Sequence, residues 1–325
     1  MAATTSSAET PAKENATAPT AIIGLGAMGL GLAKNMLRHG IALTGYDIRD
    51  EACDDFAAAG GRAAGSAAEA AANAGLLIIM VVDTAQVREV LFSDGEQSAL
   101  AAMRDGGTVM LCSTIAPADT RAIAAETQAA GALLLDAPVS GGQAGAAAGT
   151  LTVMASGPRA AFDAAESALQ AISKTVHRLG DAPGIGSTYK TVHQLATGAH
   201  LVVAAELLAF GARAGCDPRK LFDIVSTSAG QSWMFDDRAP RILNGDYAPR
   251  STVDIFVKDL ELALREGRDL SMPLPVGAAA HQVLLAASAM GCGGLDDAAV
   301  VKVYERITGA LVRPEHGGDD RGKKV

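Results

Sequence analysis

Lys190, His193 and Gln194 stand in Gly186-Ser187-Thr188-Tyr189-Lys190-Thr191-Val192-His193-Gln194, a segment that opens a long apolar stretch. Positions i, i+3 and i+4 share one face of a helix. An ammonium, an imidazole and a carboxamide on the face of a buried helix are costly unless something polar meets them. Such a set suits proton exchange with a hydroxylated carboxylate lying against a dinucleotide. Lys190 would be the group that exchanges the proton, and His193 and Gln194 would hydrogen-bond the substrate's other hydroxyls. The competing reading of Lys190 is a seam lysine whose stem covers apolar surface. His200, deeper along the run, reads as structural.

A dinucleotide is suggested by Gly24-Leu25-Gly26-Ala27-Met28-Gly29, which follows an apolar run and opens a helix over 30–38. In this context Gly24 permits the tight turn, Gly26 lets backbone approach a pyrophosphate, and Gly29 lets helix pack on strand. Ala27 and Met28 complete the loop, whose N–H groups face the phosphates. Asp47 follows Gly29 by 18 residues, at a strand end where a carboxylate accepts from ribose hydroxyls and repels a 2′-phosphate. NAD is therefore expected over NADP, although Arg49 lies close.

Three further segments fall where strands end, the edge at which such sheets bind ligands. Val81-Val82 would pass the adenosine. Thr114 would stand near the nicotinamide, cap a helix, or do both. Asp136-Ala137-Pro138-Val139-Ser140-Gly141-Gly142 ends in a turn whose N–H groups can form an anion-binding concavity. Ser140, Gly141 and Gly142 are the candidates for a substrate carboxylate.

These residues need a frame. Apolar runs at 20–23, 41–47, 76–82, 108–112, 132–137, 150–155 and 175–179 alternate with alanine-rich helical stretches, one of them expected from Ser66 to a closing Gly75. Continuous apolar runs are what strands covered on both faces require. The fold class is α/β: a Rossmann-type doubly wound sheet followed by an all-α part with helices near 186–215, 218–226, 254–269, 275–290 and 298–311. The division expected is a disordered tail at 1–19, a dinucleotide-binding domain at 20–182, a helical substrate and dimerisation domain at 183–312, and a second tail at 313–325. Formal net charge is −9 with 49 % hydrophobic and 19 % charged residues. No basic stripe speaks for nucleic acid, and no apolar run approaches the roughly 18 residues needed to span a bilayer. The four scattered cysteines have no metal-ligand spacing and fit a reducing cytoplasm, so no metal is expected. The single tryptophan, Trp233, reads as packing between the halves, and no arginine cluster for a phosphate is visible.

Taken in order, the Gly24–Gly29 loop with Met28, the Asp136–Gly142 segment, the Lys190 segment and Lys258-Asp259-Leu260 resemble the β-hydroxyacid dehydrogenases across residues 20 to about 310. The resemblance implies Lys190 as the catalytic residue, Ser140-Gly141-Gly142 as the substrate loop, Thr114 as a cofactor contact, and Lys258 as a helical-half residue reaching the cofactor. A pairing of Lys258 with Asp254, one turn earlier, is the plainer alternative. Many members carry two asparagines where this chain has His193-Gln194. Within the family the segments look most like the subgroup that oxidises C2 of a four-carbon sugar acid such as L-threonate with NAD. A 3-hydroxyisobutyrate or tartronate-semialdehyde type enzyme and a non-catalytic nucleotide-binding module are the alternatives. A homodimer or homotetramer is the implied assembly.

Overall fold

The computed structural model describes residues 19–93 and 98–312. Both expected tails, apart from Pro19, lie outside them. The first half is a parallel six-stranded sheet in the order β3-β2-β1-β4-β5-β6. Its strands are β1 (Thr20–Ile23), β2 (Leu43–Tyr46), β3 (Arg62–Ala63), β4 (Leu76–Ile79), β5 (Thr108–Leu111) and β6 (Leu133–Asp136). The central strands β4 and β5 are buried along their whole length, as helices on both faces demand. Chain order reverses at β1 and β4, and the crevice beyond their carboxyl ends is where the fold binds ligands.

The last two strands depart from the expectation of one continuous sheet. β7 (Val139–Ser140), β8 (Leu151–Ala155) and β9 (Ser173–Arg178) form a separate three-stranded sheet, with β7 antiparallel to β8. Two-residue strands such as β3 and β7 carry too little pattern to be seen in sequence. The alanine-rich helix is also shorter than expected. α3 spans Ala67–Ala71, capped by the Ser66 hydroxyl, and it ends at Ala72, not at Gly75. Asn73 takes the left-handed turn at φ 58°, and the Gly75 N–H donates to Pro19 O.

The other helices of the first half are α1 (Ala27–Arg38), α2 (Asp50–Ala58), α4 (Thr84–Phe92), α5 (Ala99–Ala102), α6 (Pro117–Ala129), α7 (Gly142–Ala148) and α8 (Arg159–Ile172), of which α1 and α7 line the cleft. The second half is helical: α9 (Ile185–Arg213), α10 (Pro218–Ser226), α11 (Trp233–Asn244), α12 (Val253–Asp269), α13 (Pro275–Ala287) and α14 (Val301–Thr308). α11 was not expected, because Pro240 lies inside it and its sequence is polar on average. α9 corrects the expectation about apolar runs. Its 29 residues and a mean hydropathy of 1.6 over the most apolar window are long and apolar enough to cross a membrane. Half of that window is buried within the molecule, with α11, α12, α13 and α14 packed on it. That packing accounts for the apolar residues on the inner face of α9.

The two halves interlock at the start of α9. Asp136, fully buried at the end of β6, accepts from the Gly184 and Ser187 N–H groups at 2.8 Å each and from the Ser187 hydroxyl at 2.7 Å. Thr120 of α6 meets the same hydroxyl at 2.9 Å. A Cβ at Gly186 would lie 2.3 Å from Met154 O, so only glycine lets α9 dock this closely on the small sheet. The carboxylate that opens the Asp136–Gly142 segment is thus committed to seating the long helix.

Candidate active site

The glycine loop is built as its spacing predicts. Gly24 has φ 93°, and a Cβ there would come within 2.4 Å of Met80 O. A Cβ at Gly29 would fall 1.8 Å from Gly24 O. At Gly26 a Cβ would meet only Arg49 Nη2, 3.6 Å away, leaving space for backbone to approach a phosphate. Gly26, Ala27, Met28, Gly29, Val81, Val82 and Thr114 line one cleft with Ser140, Gly141, Gly142, Lys190, His193, Gln194 and Lys258. Gly24 is buried beneath the loop. Asp47 stands beyond the cleft, where its Oδ2 accepts from Leu25 N at 2.8 Å and so ties β2 to the loop. Arg49 grips both carboxylate oxygens. Burial is the largest single influence and raises the Asp47 carboxyl, but the Arg49 guanidinium together with the backbone N–H groups of Arg49 and Leu25 outweighs it and holds the group below its usual range.

Lys190 is 6 % exposed. Burial is the main cause that pushes its amine down to about 8; Lys258 acts in the same sense and Asp259 opposes it. Gln194 and His193 share its face, as the helical spacing requires. Lys190 Nζ donates to Gln194 Oε1 at 2.8 Å, and His193 Nδ1 approaches the same oxygen at 3.0 Å. Gln194 Nε2 donates to Asp259 Oδ2 at 2.6 Å. A carboxylate only accepts, so the amide is oriented, and its oxygen must face two donors. His193 therefore carries its proton on Nδ1 and turns an acceptor, Nε2, toward Ser140 Oγ at 3.3 Å. Burial, followed by the Lys190 charge, lowers the imidazole's pKa and favours its neutral form.

Lys258, on α12, reaches across the cleft to donate to Thr114 O at 2.7 Å. Its Nζ also lies 2.8 Å from Asp259 Oδ1 as an ion pair. The alternative pairing with Asp254 is not made; Asp254 accepts from Ser288 at 2.6 Å. Thr114 does not cap α6, whose N-cap is Ala116. Gly141 and Gly142 take φ 132° and 62°, values that favour glycine and keep the loop free of side chains. His200 is exposed on the outer face of α9 rather than packed inside it.

Trp233, expected between the halves, is 55 % exposed and faces the loop from the helical half, with its ring 4.0 Å from a Cβ built on Gly142. Part of the cleft wall was missed in sequence: Arg238 and Arg241 of α11, a helix that was not expected, line it together with Arg250 from the segment before α12. Asp237, Asp296, Asp297 and Asp246 pair with them, so three cations face four carboxylates. With every guanidinium paired and the carboxylates in excess, the wall has no spare positive charge for a phosphate dianion.

A glycine-loop sheet that faces a helical half across a buried, weakly basic amine defines a nicotinamide-dinucleotide-linked oxidoreductase. The chain belongs to the β-hydroxyacid dehydrogenase family. Residues 19–180 match the NAD-binding domain of 6-phosphogluconate dehydrogenase. Residues 184–304 match the family described as the NAD-binding region of NADP-dependent 3-hydroxyisobutyrate dehydrogenase. The chain is 46 % identical to an L-threonate dehydrogenase of Cupriavidus necator, over 88 % of this chain and 96 % of that one. It is 32 % identical to the mitochondrial 3-hydroxyisobutyrate dehydrogenase of Mus musculus, over 82 % and 80 %. A solved structure titled 3-hydroxyisobutyrate dehydrogenase from Salmonella typhimurium superposes with a TM-score of 0.83 at 45 % identity, covering 87 % of this chain and 99 % of that one.

Proposed function

We propose that the protein oxidises the C2 hydroxyl of a four-carbon sugar acid, L-threonate, with NAD. The observation that carries this reading is the buried Lys190 amine, lowered to about 8 and facing the cleft shared with the glycine loop. Gly24, Gly26, Ala27, Met28 and Gly29 would hold the pyrophosphate, Asp47 the ribose, and Val81, Val82, Thr114 and Lys258 the remaining cofactor surface. NAD, when bound, supplies a hydride acceptor at nicotinamide C4. Lys190 in its neutral form takes the hydroxyl proton as the C2–H bond breaks, which leaves a 2-keto acid. In the reverse direction the ammonium donates that proton back. Ser140, Gly141 and Gly142 would receive the carboxylate. His193 offers an acceptor to a substrate hydroxyl, whereas Gln194 spends its amide oxygen on Lys190 and contributes chiefly by steadying it.

The C4 acid is favoured by the similarity to L-threonate dehydrogenases and by an arginine wall whose cations are all paired with carboxylates, which suits a neutral polyol end. A 3-hydroxyisobutyrate type substrate is the second reading, supported by the solved relative of that title. Residues 20–182 would act as the dinucleotide domain and 183–312 as the substrate and dimerisation domain, in a cytoplasmic homodimer or homotetramer. NADH formation measured against threonate and erythronate stereoisomers, 3-hydroxyisobutyrate and glycerate tests the assignment. The expected result is a kcat/KM for L-threonate at least about tenfold above the others; a preference for 3-hydroxyisobutyrate would replace it with the second reading.

A further inference from the structure

Asp259 has no part in the chemistry above, yet it is 3 % exposed and lines the same cleft from α12. Its Oδ2 accepts from Gln194 Nε2 at 2.6 Å, and Gln194 Oε1 in turn accepts from Lys190 Nζ. Its Oδ1 lies 2.8 Å from Lys258 Nζ, in a geometry that makes an ion pair without an aligned hydrogen bond. Lys258 directs its hydrogen bond to Thr114 O on the opposite wall. One buried carboxylate therefore joins two chains of contacts, one ending at the amine and one at the loop after β5.

We propose that Asp259 is a positioning residue: it keeps the Gln194 amide oxygen turned toward Lys190 and holds Lys258 against the Thr114 loop, so that amine and loop keep one register. The proposal rests on the reading of Lys190 as the base. A carboxylate cannot donate, so it permits only one orientation of the amide. Asparagine at 259 could donate as well as accept, and the amide could then turn over to present N–H to the Lys190 ammonium. The charge matters as well as the geometry. The groups that face Lys190 are Lys258 and Asp259 from α12 and His193 from its own helix, while Asp136 is spent on the first turn of α9. Asp259 supports the ammonium, and burial and Lys258 oppose it.

The test uses the full-length protein without substrate. Acetylation of Lys190 by acetic anhydride is followed against pH and read by peptide mass spectrometry in wild type, Asp259→Asn and the charge-swapped Gln194→Glu/Asp259→Asn pair. The wild-type midpoint is expected near the value of about 8 set by its surroundings. Asp259→Asn moves the midpoint to lower pH because it removes the charge that favours the ammonium. The swapped pair moves it to higher pH because a carboxylate then touches the amine. In turnover, Asp259→Asn lowers kcat about 10- to 100-fold, while the KM for NAD rises by a smaller factor because Lys258 is also freed from the Thr114 loop. If the single variant does not fold, Asp259→Glu, which keeps the charge but displaces the carboxylate from the Gln194 amide, carries the test: kcat falls, and an unchanged kcat overturns the proposal. Unmoved midpoints in both variants overturn the proposal, as does a loss of NAD binding equal to the loss of kcat. A wild type that oxidises no hydroxy acid sinks the proposed function and leaves the labelling result standing.

Discussion

Lys190 can take a proton from an alcohol only in its neutral form, so its surroundings set the pH at which the reaction runs. An unperturbed lysine titrates near about 10.4, and burial at the cleft wall brings this amine to about 8. The shift is downward, so the neutral base is populated as pH rises through about 8. Oxidation is therefore expected to gain rate across that point, and the reverse reduction, which needs the ammonium, to lose it. Rate profiles in both directions check this, and parallel profiles would count against a lysine base. Lys190→Ala should lower kcat by about 10²- to 10⁴-fold while NAD affinity, followed by fluorescence titration, stays within about twofold. Undiminished turnover would remove the amine from the mechanism.

At the scale of elements, the site depends on how closely helices approach strands and one another. α1 can start at the glycine loop only because Gly29 leaves room for Gly24 O, which a Cβ would meet at 1.8 Å. Gly29→Ala is thus expected to push α1 away from β1, at a cost of about 1–3 kcal/mol in stability, and to weaken NAD binding about tenfold or more. Gly294→Ala, where a Cβ meets nothing within 4 Å, is the matched control and should change neither. Thermal melting and NAD titration of the pair give the comparison, and equal behaviour of the two variants would refute the packing argument. The same economy of space brings α12 to α9. A Cβ at Gly198 would lie 2.8 Å from Leu260, and this close crossing is what lets Asp259 reach Gln194.

For the whole molecule, α9 is both the seat of the amine and the axis of the helical half. Its inner face is buried, while Tyr189, Val192, Val203 and Phe210 are exposed apolar residues on its outer side. With the also exposed His200 they recur at intervals that keep to one face of a helix. Monomeric proteins seldom leave so long an apolar stripe uncovered, which supports the proposed homodimer or homotetramer. Phe210→Glu should then shift the species seen by light scattering toward monomer, without a change in the secondary structure seen by circular dichroism. A wild type that is already monomeric at micromolar concentration would exclude this interface.

Local sequence was enough for the parts whose physics is local. The glycine spacing, the continuous apolar strands and the i, i+3, i+4 face of Lys190, His193 and Gln194 each depend on neighbours within a few residues, and each was legible. So was the order of segments that marks the family. Tertiary structure alone decided what depends on distant partners. Asp136, which had no role of its own in the sequence reading, seats α9. α11 was hidden by Pro240 and its polar residues, and with it Arg238 and Arg241 of the cleft wall. Gln194 looked free to bind substrate, but Asp259, 65 residues away in the chain, takes its amide nitrogen. A side chain's type and period are written in the sequence, but a hydrogen bond's partner and an amine's burial arise only when remote segments are packed together, and those decide proton affinity.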